Sequence, residues 1–289
     1  DFIGLSFVRS AGDVAELKKI IETEGATTHV VAKIEKPEAL DDLDAIVKTA
    51  DGIMIARGDL GVEIDIATVP VVQKQIVAMC RRYHKPVIVA TQMLDSMQHS
   101  RVPTRAEATD VANAILDGAD ACMLSGETAI GRYPRGAVEM MARIAMATEE
   151  TYKTTSTGDV ASGDDTGDVP DNTRGVVRAA GGLAESIHAK VIVVASKSGA
   201  TARTVSNSRF LVPTVGISES RATLRKMCLY WGVQPLAGSP TDKPERILDF
   251  IVTYAREAGY LAGGDRIVMI AGTGLRVSQH NLIVVHELD

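Results

Sequence analysis

The sequence predicts an α/β chain in two parts, on three observations. Over residues 1–150 a short β-branched run, a polar turn and an amphipathic helical stretch recur five times in succession. Residues 151–170 (TYKTTSTGDVASGDDTGDVP) are poor in large apolar side chains, and such a stretch cannot repay by burial the entropy lost on ordering. From Thr173 a second strand–helix alternation runs to the end, over about 115 residues, near the usual size of a domain. The expected organisation is therefore a first domain at 1–150, a linker at 151–172 and a second α/β domain at 173–289.

In the first part the strand candidates are Phe2 to Phe7, His29 to Ile34, Gly52 to Ala56, Pro86 to Ala90 and Ala121 to Leu124. Helix starts follow them. Ser10 with Asp13 three residues on has the spacing of a capping box, and Pro37 and Pro134 suit a first turn, where a missing N–H removes no hydrogen bond. A doubly wound sheet and a (β/α)8 barrel both arise from such repeated right-handed βαβ units. In the second part the candidates are Val191 to Ala195, Thr214 to Ile217, Gln234 to Leu236, Arg266 to Ala271 and Leu282 to His286, a mostly parallel five-stranded sheet.

The chain has 289 residues, 31 Lys and Arg against 37 Asp and Glu, and a net charge of -6 without a dense basic stretch. A nucleic-acid surface needs a concentrated basic face, so small-molecule chemistry is expected instead. Cys80, Cys122 and Cys228 lie far apart in apolar-rich segments and form no CxxC pair, so they read as reduced core residues of a cytoplasmic protein. The six histidines form no HxH or HxxxH pair, and no transition-metal site is expected. No apolar run approaches the roughly 20 residues that cross a bilayer, so a membrane role is not expected. The chain opens at Asp1, directly in a strand-like run, which reads as the interior of something longer.

Reactive groups in parallel βα architectures gather at the carboxyl ends of strands. The second strand candidate ends in Lys33-Ile34-Glu35, whose cation and carboxylate share one side of an extended chain. The third ends in Ala56-Arg57-Gly58-Asp59-Leu60-Gly61, where exposed N–H groups can hold an anion. Thr91 follows the fourth, and Ser125 and Glu127 follow the fifth. Glu35 and Asp59 are hard oxygen ligands from adjacent strands, suited to Mg2+ or Mn2+, and Lys33 beside them suits a phosphoryl group or an enolate. Taken singly, Lys-x-Glu reads as a solvated pair, RGD as a turn, Glu127 as a cap and Thr91 as a hydroxyl serving a local carbonyl. Their coincidence on consecutive strand ends favours a site. In the second part, Ser196-Lys197-Ser198-Gly199-Ala200-Thr201 joins a strand to a helix and is suited equally to a phosphate or to simple N-capping.

The blocks VVAKIEKPEAL (Val30 to Leu40), DGIMIARGDLGVEI (Asp51 to Ile64), KPVIVATQMLDSM (Lys85 to Met97) and PTRAEATDVANAILDGADACMLSGETAIGRYP (Pro103 to Pro134) closely resemble pyruvate kinase. The resemblance covers nearly the whole chain. It implies the last five βα units of a (β/α)8 TIM barrel followed by the family's regulatory α/β domain. It places the first three barrel strands, the nucleotide lid and the K+ site outside this chain.

What the resemblance implies is a glycolytic phosphotransferase that moves phosphate from phosphoenolpyruvate to ADP, giving pyruvate and ATP. Lys33 would stabilise the transition state, Glu35 and Asp59 would hold Mg2+ or Mn2+, and the N–H groups of Gly58 and Asp59 would receive the substrate carboxylate. Thr91 would face the protonated side of enolpyruvate, and Ser125 and Glu127 would line the barrel mouth. Ser196, Lys197, Ser198, Gly199 and Thr201 would form a loop for a phosphorylated allosteric effector in a homotetrameric enzyme. Two departures from the family are Arg101, often a proline, and the final loop Ala271 to Asn281, which lacks a glycine- and threonine-rich ending. The competing readings are a phosphoenolpyruvate-handling lyase or mutase, which leaves the ATQM, PTRAE and SGET blocks unexplained, and a non-catalytic relative that only binds a metabolite. A further expectation is that the five-unit piece can pair with a second copy through its open edges.

Overall fold

The computed structural model describes residues 1–155, 169–240, 243–272 and 282–289. They belong to two compact units, Asp1–Thr166 and Gly167–Asp289.

In the first unit β1 (Phe2–Leu5) leads to α1 (Ala11–Thr23), then β2 (His29–Ile34), α2 (Glu38–Asp41), α3 (Leu43–Thr49) and β3 (Gly52–Ala56). Next come α4 (Arg57–Glu63), α5 (Val69–Arg82), β4 (Val87–Ala90), α6 (Arg105–Asp117), β5 (Ala121–Met123), α7 (Gly126–Ala129) and α8 (Pro134–Thr155). The sheet order is β1-β2-β3-β4-β5, every pair parallel. A doubly wound sheet reverses direction at a switch point. This one never does, so it has the order of a barrel.

The inner strands β2, β3 and β4 are buried almost throughout, as parallel strands with helices packed on them must be, whereas the edge strands β1 and β5 are only partly covered. Val30, Ala32, Ile34, Ile53, Ile55, Val87 and Val89 pack with Ile76, Val77 and Cys80 of α5 and Val111 and Ala114 of α6. Register is set by a repeated device. Asp51, just before β3, exchanges backbone bonds with Val30 of β2: its N–H donates to the Val30 carbonyl at 2.9 Å, and its Oδ2 accepts the Val30 N–H at 2.9 Å. Asp120, just before β5, does the same to Val87 of β4, at 2.9 and 2.8 Å. Burial pushes the Asp51 carboxyl up, but Lys18 and the Val30 N–H outweigh it and hold the group below its ordinary range.

Elements are a little shorter or shifted at their ends relative to the sequence reading. β1 stops at Leu5 because Phe7 turns to φ 57°, and β4 starts at Val87 because Pro86 has no N–H for the ladder. Pro37 caps α2 rather than opening it, whereas Pro134 is the first residue of α8. Asp13 accepts the N–H groups of Arg9 and Ser10, which lowers its pKa. Of the stretch 151–172, residues 151–155 close α8 and residues 171–172 open the next helix; 156–168 lie outside the described residues.

The second unit runs α9 (Asp171–Ser186), β6 (Val191–Ala195), α10 (Ala200–Asn207), β7 (Thr214–Ile217), α11 (Arg221–Met227), β8 (Val233–Leu236), α12 (Pro244–Glu257), β9 (Arg266–Ala271) and β10 (Leu282–Glu287). Its sheet order is β10-β9-β6-β7-β8, parallel except for β9–β10. Helix α9 lies close to Phe210, and a Cβ at Gly181 would stand 2.1 Å from that ring. Only glycine fits there. Cys80 is buried and Cys122 half-buried, but Cys228 is exposed, which corrects the core reading. It follows Met227 at the end of α11, where one residue is about 100° of helix rotation, so Met227 fills the core while Cys228 faces out. No helix among the described residues is long and apolar enough to cross a membrane.

Candidate active site

The chemistry-bearing residues of the first unit converge at the carboxyl ends of β2 to β5. Lys33 and Glu35, two residues apart, meet: Lys33 Nζ lies 2.5 Å from Glu35 Oε1 and donates to Ser6 Oγ at 2.8 Å. Glu35 is 1% exposed, and its Oε2 accepts the Phe7 N–H at 2.7 Å. Lys33 keeps a quarter of its side chain in solvent. A buried carboxylate is thus held by a cation that can still reach a ligand.

On the neighbouring strand end, β3 passes directly into α4, whose first turn carries Gly58 and the exposed Asp59. The Gly58 N–H donates to Thr91 Oγ1 at 2.7 Å, and that hydroxyl donates to the Ala90 carbonyl at 2.6 Å. Thr91 has φ 71° and Gln92 φ 55°. A β-branched residue in that region is an outlier that its surroundings must enforce, and such outliers cluster at functional sites.

The loop beyond Thr91 is fastened by two carboxylates. Glu127, 1% exposed, accepts the Leu94 N–H at 3.0 Å through Oε1 and the Ser125 N–H at 2.8 Å through Oε2, joining the ends of β4 and β5. It is therefore a brace within the structure. Glu107 caps α6 with Thr104 and also accepts the Ser96 N–H at 2.7 Å and Ser96 Oγ at 2.6 Å. Burial raises its pKa, but these donors prevail and keep the carboxyl below its usual range.

Arg57 and Asp110 were missed by the sequence reading. Arg57 Nη1 lies 2.6 Å from Asp110 Oδ1, and Nη2 donates to the Thr91 carbonyl at 2.9 Å. Fifty-three positions separate the pair, and no spacing rule reaches so far. Glu107 had a legible signal, the Thr-x-x-Glu spacing from Thr104, but lay inside a block to which no role had been assigned.

The donor set fits a particular kind of cation. Both Glu35 oxygens already accept one hydrogen bond and keep a second lone pair, while Asp59 is open to solvent. No group of three or more His, Cys, Asp or Glu suited to a metal occurs among the described residues. Two carboxylates suit Mg2+ or Mn2+, which keep waters and take substrate oxygens, better than a metal that needs a full protein cage.

In the second unit the Ser196–Thr201 segment follows β6, where the sheet order turns back from β7 and β8 on one side to β9 on the other. Ligands of open α/β sheets bind at such reversals. Ser196 is buried and its Oγ accepts the Gly199 N–H at 3.1 Å; Gly199, at φ 87°, is the N-cap of α10. Lys197 and Ser198 are exposed, Thr201 is buried, and the Lys197 carbonyl accepts Thr223 Oγ1 at 3.1 Å. The final loop departure at Ala271 to Asn281 falls largely on 273–281, outside the described residues.

Comparison with known proteins agrees with this architecture. The family description "Pyruvate kinase, barrel domain" matches residues 1–138, and "Pyruvate kinase, alpha/beta domain" matches residues 174–286. The first unit corresponds to five βα units of that barrel domain, and the second to the α/β domain. The chain belongs to the pyruvate kinase family. A pyruvate kinase of Clostridium acetobutylicum is 42% identical over 280 residues, 96% of this chain and 58% of the relative. One from Staphylococcus aureus is 43% identical over 298 residues, 99% of this chain and 48% of the relative. The crystal structure of a pyruvate kinase from Cryptosporidium parvum superposes with a TM-score of 0.91 at 32% identity, covering 100% of this chain and 59% of that one. The chain spans about half the length of the curated relatives it matches.

Proposed function

We propose that this chain carries the phosphoryl-transfer and proton-transfer site of a pyruvate kinase, which moves the phosphoryl group of phosphoenolpyruvate to ADP. The observation that carries this reading is the Lys33–Glu35 pair at the end of β2 beside the exposed Asp59 at the end of β3. Glu35 and Asp59 hold the divalent cation, and Mg2+ there supplies charge neutralisation for the phosphoryl and enol oxygens. Lys33 aims a fixed positive charge at the same oxygens, where negative charge grows in the transition state.

The substrate carboxylate is received by the N–H groups of Gly58 and Asp59. The Gly58 N–H exchanges the Thr91 hydroxyl for a carboxylate oxygen, and this releases Thr91 toward the enol face. The phosphoryl group leaves the enol oxygen for the terminal oxygen of ADP, and the carbon end of the enolate left behind then takes a proton that comes from solvent on the Thr91 side. The K+ that the family resemblance implies is assigned no residue in this chain.

The test is a coupled assay on the full gene product. Pyruvate formation is expected to require phosphoenolpyruvate, ADP and Mg2+ together, and formation independent of ADP would overturn the reading. Residues 1–289 alone are expected to turn over far more slowly, because the resemblance places the nucleotide lid elsewhere.

The second unit is the regulatory part in this reading, with Ser196, Lys197, Ser198, Gly199 and Thr201 around an effector phosphate. Its position at the sheet reversal and at the start of α10 supports this. Ser198→Glu is expected to abolish calorimetric binding of sugar phosphates; a wild-type titration would leave the loop as a helix cap.

A further inference from the structure

We infer that Arg57 is a positioning residue for the proton-transfer step, acting through Thr91. The inference rests on the proposed role of Thr91. Adjacent residues at the start of α4 grip Thr91 at two points: the Arg57 guanidinium takes its backbone carbonyl at 2.9 Å and the Gly58 N–H takes its hydroxyl at 2.7 Å. The guanidinium is itself fixed. Its side chain is 12% exposed, Asp110 anchors Nη1 at 2.6 Å, Gln73 Oε1 lies 3.4 Å away, and Met93 Sδ accepts from Nη2 at 2.9 Å.

Two unfavourable features persist around this grip. Thr91 and Gln92 hold consecutive positive φ angles, and the Arg57 Nε–H is buried with no acceptor among the described residues. Both cost free energy and are kept only where the surroundings enforce them. When a substrate carboxylate takes the Gly58 N–H, one of the two points is lost, and beside the local bond of the Thr91 hydroxyl to the Ala90 carbonyl Arg57 is the hold from α4 that keeps the Thr91 backbone turned. The hydroxyl then stays within hydrogen-bond reach of the enol carbon face. Lysine cannot replace it, because one ammonium does not span Asp110 and the Thr91 carbonyl as a planar fork does.

The test uses the full gene product and the exchange of pyruvate methyl protons with D2O, in which a proton leaves the methyl carbon and a solvent deuteron returns. Arg57→Met is expected to slow exchange roughly tenfold to a hundredfold, the scale of a 1 Å misplacement, while the KM for phosphoenolpyruvate changes far less. The double variant Arg57→Met, Thr91→Ala is expected to be no slower than Thr91→Ala, because the two act as one unit. Hydrogen exchange at the Gly58 amide is expected to quicken in Arg57→Met. Should that variant fail to fold, Asp110→Asn, which loosens the guanidinium, is expected to show the same pattern more weakly. Wild-type exchange in the Arg57 and Asp110 variants, or effects that multiply in the double variant, would overturn the inference alone. Wild-type exchange in Thr91→Ala would overturn the catalytic reading of Thr91 and this inference with it.

Discussion

Lys33→Met in the full gene product is expected to lower kcat by about a hundredfold or more, with little change in the affinity for phosphoenolpyruvate. The scale is about 3 kcal/mol, that of removing one preorganised electrostatic group from a transition state. The same change leaves Glu35, 1% exposed, with the Phe7 N–H but no cation. Breaking such a pair by removing one partner destabilises, here by about 2–3 kcal/mol, the lower range because Lys33 is partly in solvent. The two effects separate when kcat is measured well below the melting transition of Lys33→Met, where the variant is still folded and the rate is still expected to be lost. A kcat that returns to the wild-type value there would make Lys33 a structural residue only.

Glu35→Gln and Asp59→Asn are each expected to weaken Mn2+ binding by at least about a hundredfold, the upper end of what outer-shell partners alone contribute. Their stabilities should differ. Asp59 is exposed, and Asp59→Asn should stay within about 0.5 kcal/mol of wild type. Glu35→Gln keeps one acceptor oxygen for two partners, the Phe7 N–H and Lys33, and loses the ion pair, so it should also lower the melting temperature. Electron paramagnetic resonance titration of free Mn2+ checks the binding directly, and wild-type titrations in both variants would remove them from the metal site.

Much of the fold was legible because most of the parallel strands read as short apolar runs rich in β-branched residues: β2 and β3 lie on their expected residues, and β6, β7 and β9 do so in the second unit. Barrel and doubly wound order were indistinguishable by periodicity, since both use the same βαβ unit. Long family blocks favoured the barrel, and the sequential strand order agrees. Lys33 and Glu35 were legible because i and i+2 share one face of a strand. Arg57 with Asp110 was not, because it depends on how α4 and α6 pack. Nor was the backbone of Thr91, because a β-branched residue is the last one expected at positive φ. Cys228 misled because apolar neighbours in sequence do not say which way a helical residue points.

The most direct measurement is the anomalous difference map of the full gene product crystallised with Mn2+ and pyruvate. The expected result is an ordered Mn2+ held by the carboxylates of Glu35 and Asp59, with pyruvate bound beside it and beside Lys33. An ordered Mn2+ that touches neither carboxylate, with pyruvate bound away from Lys33, would contradict it.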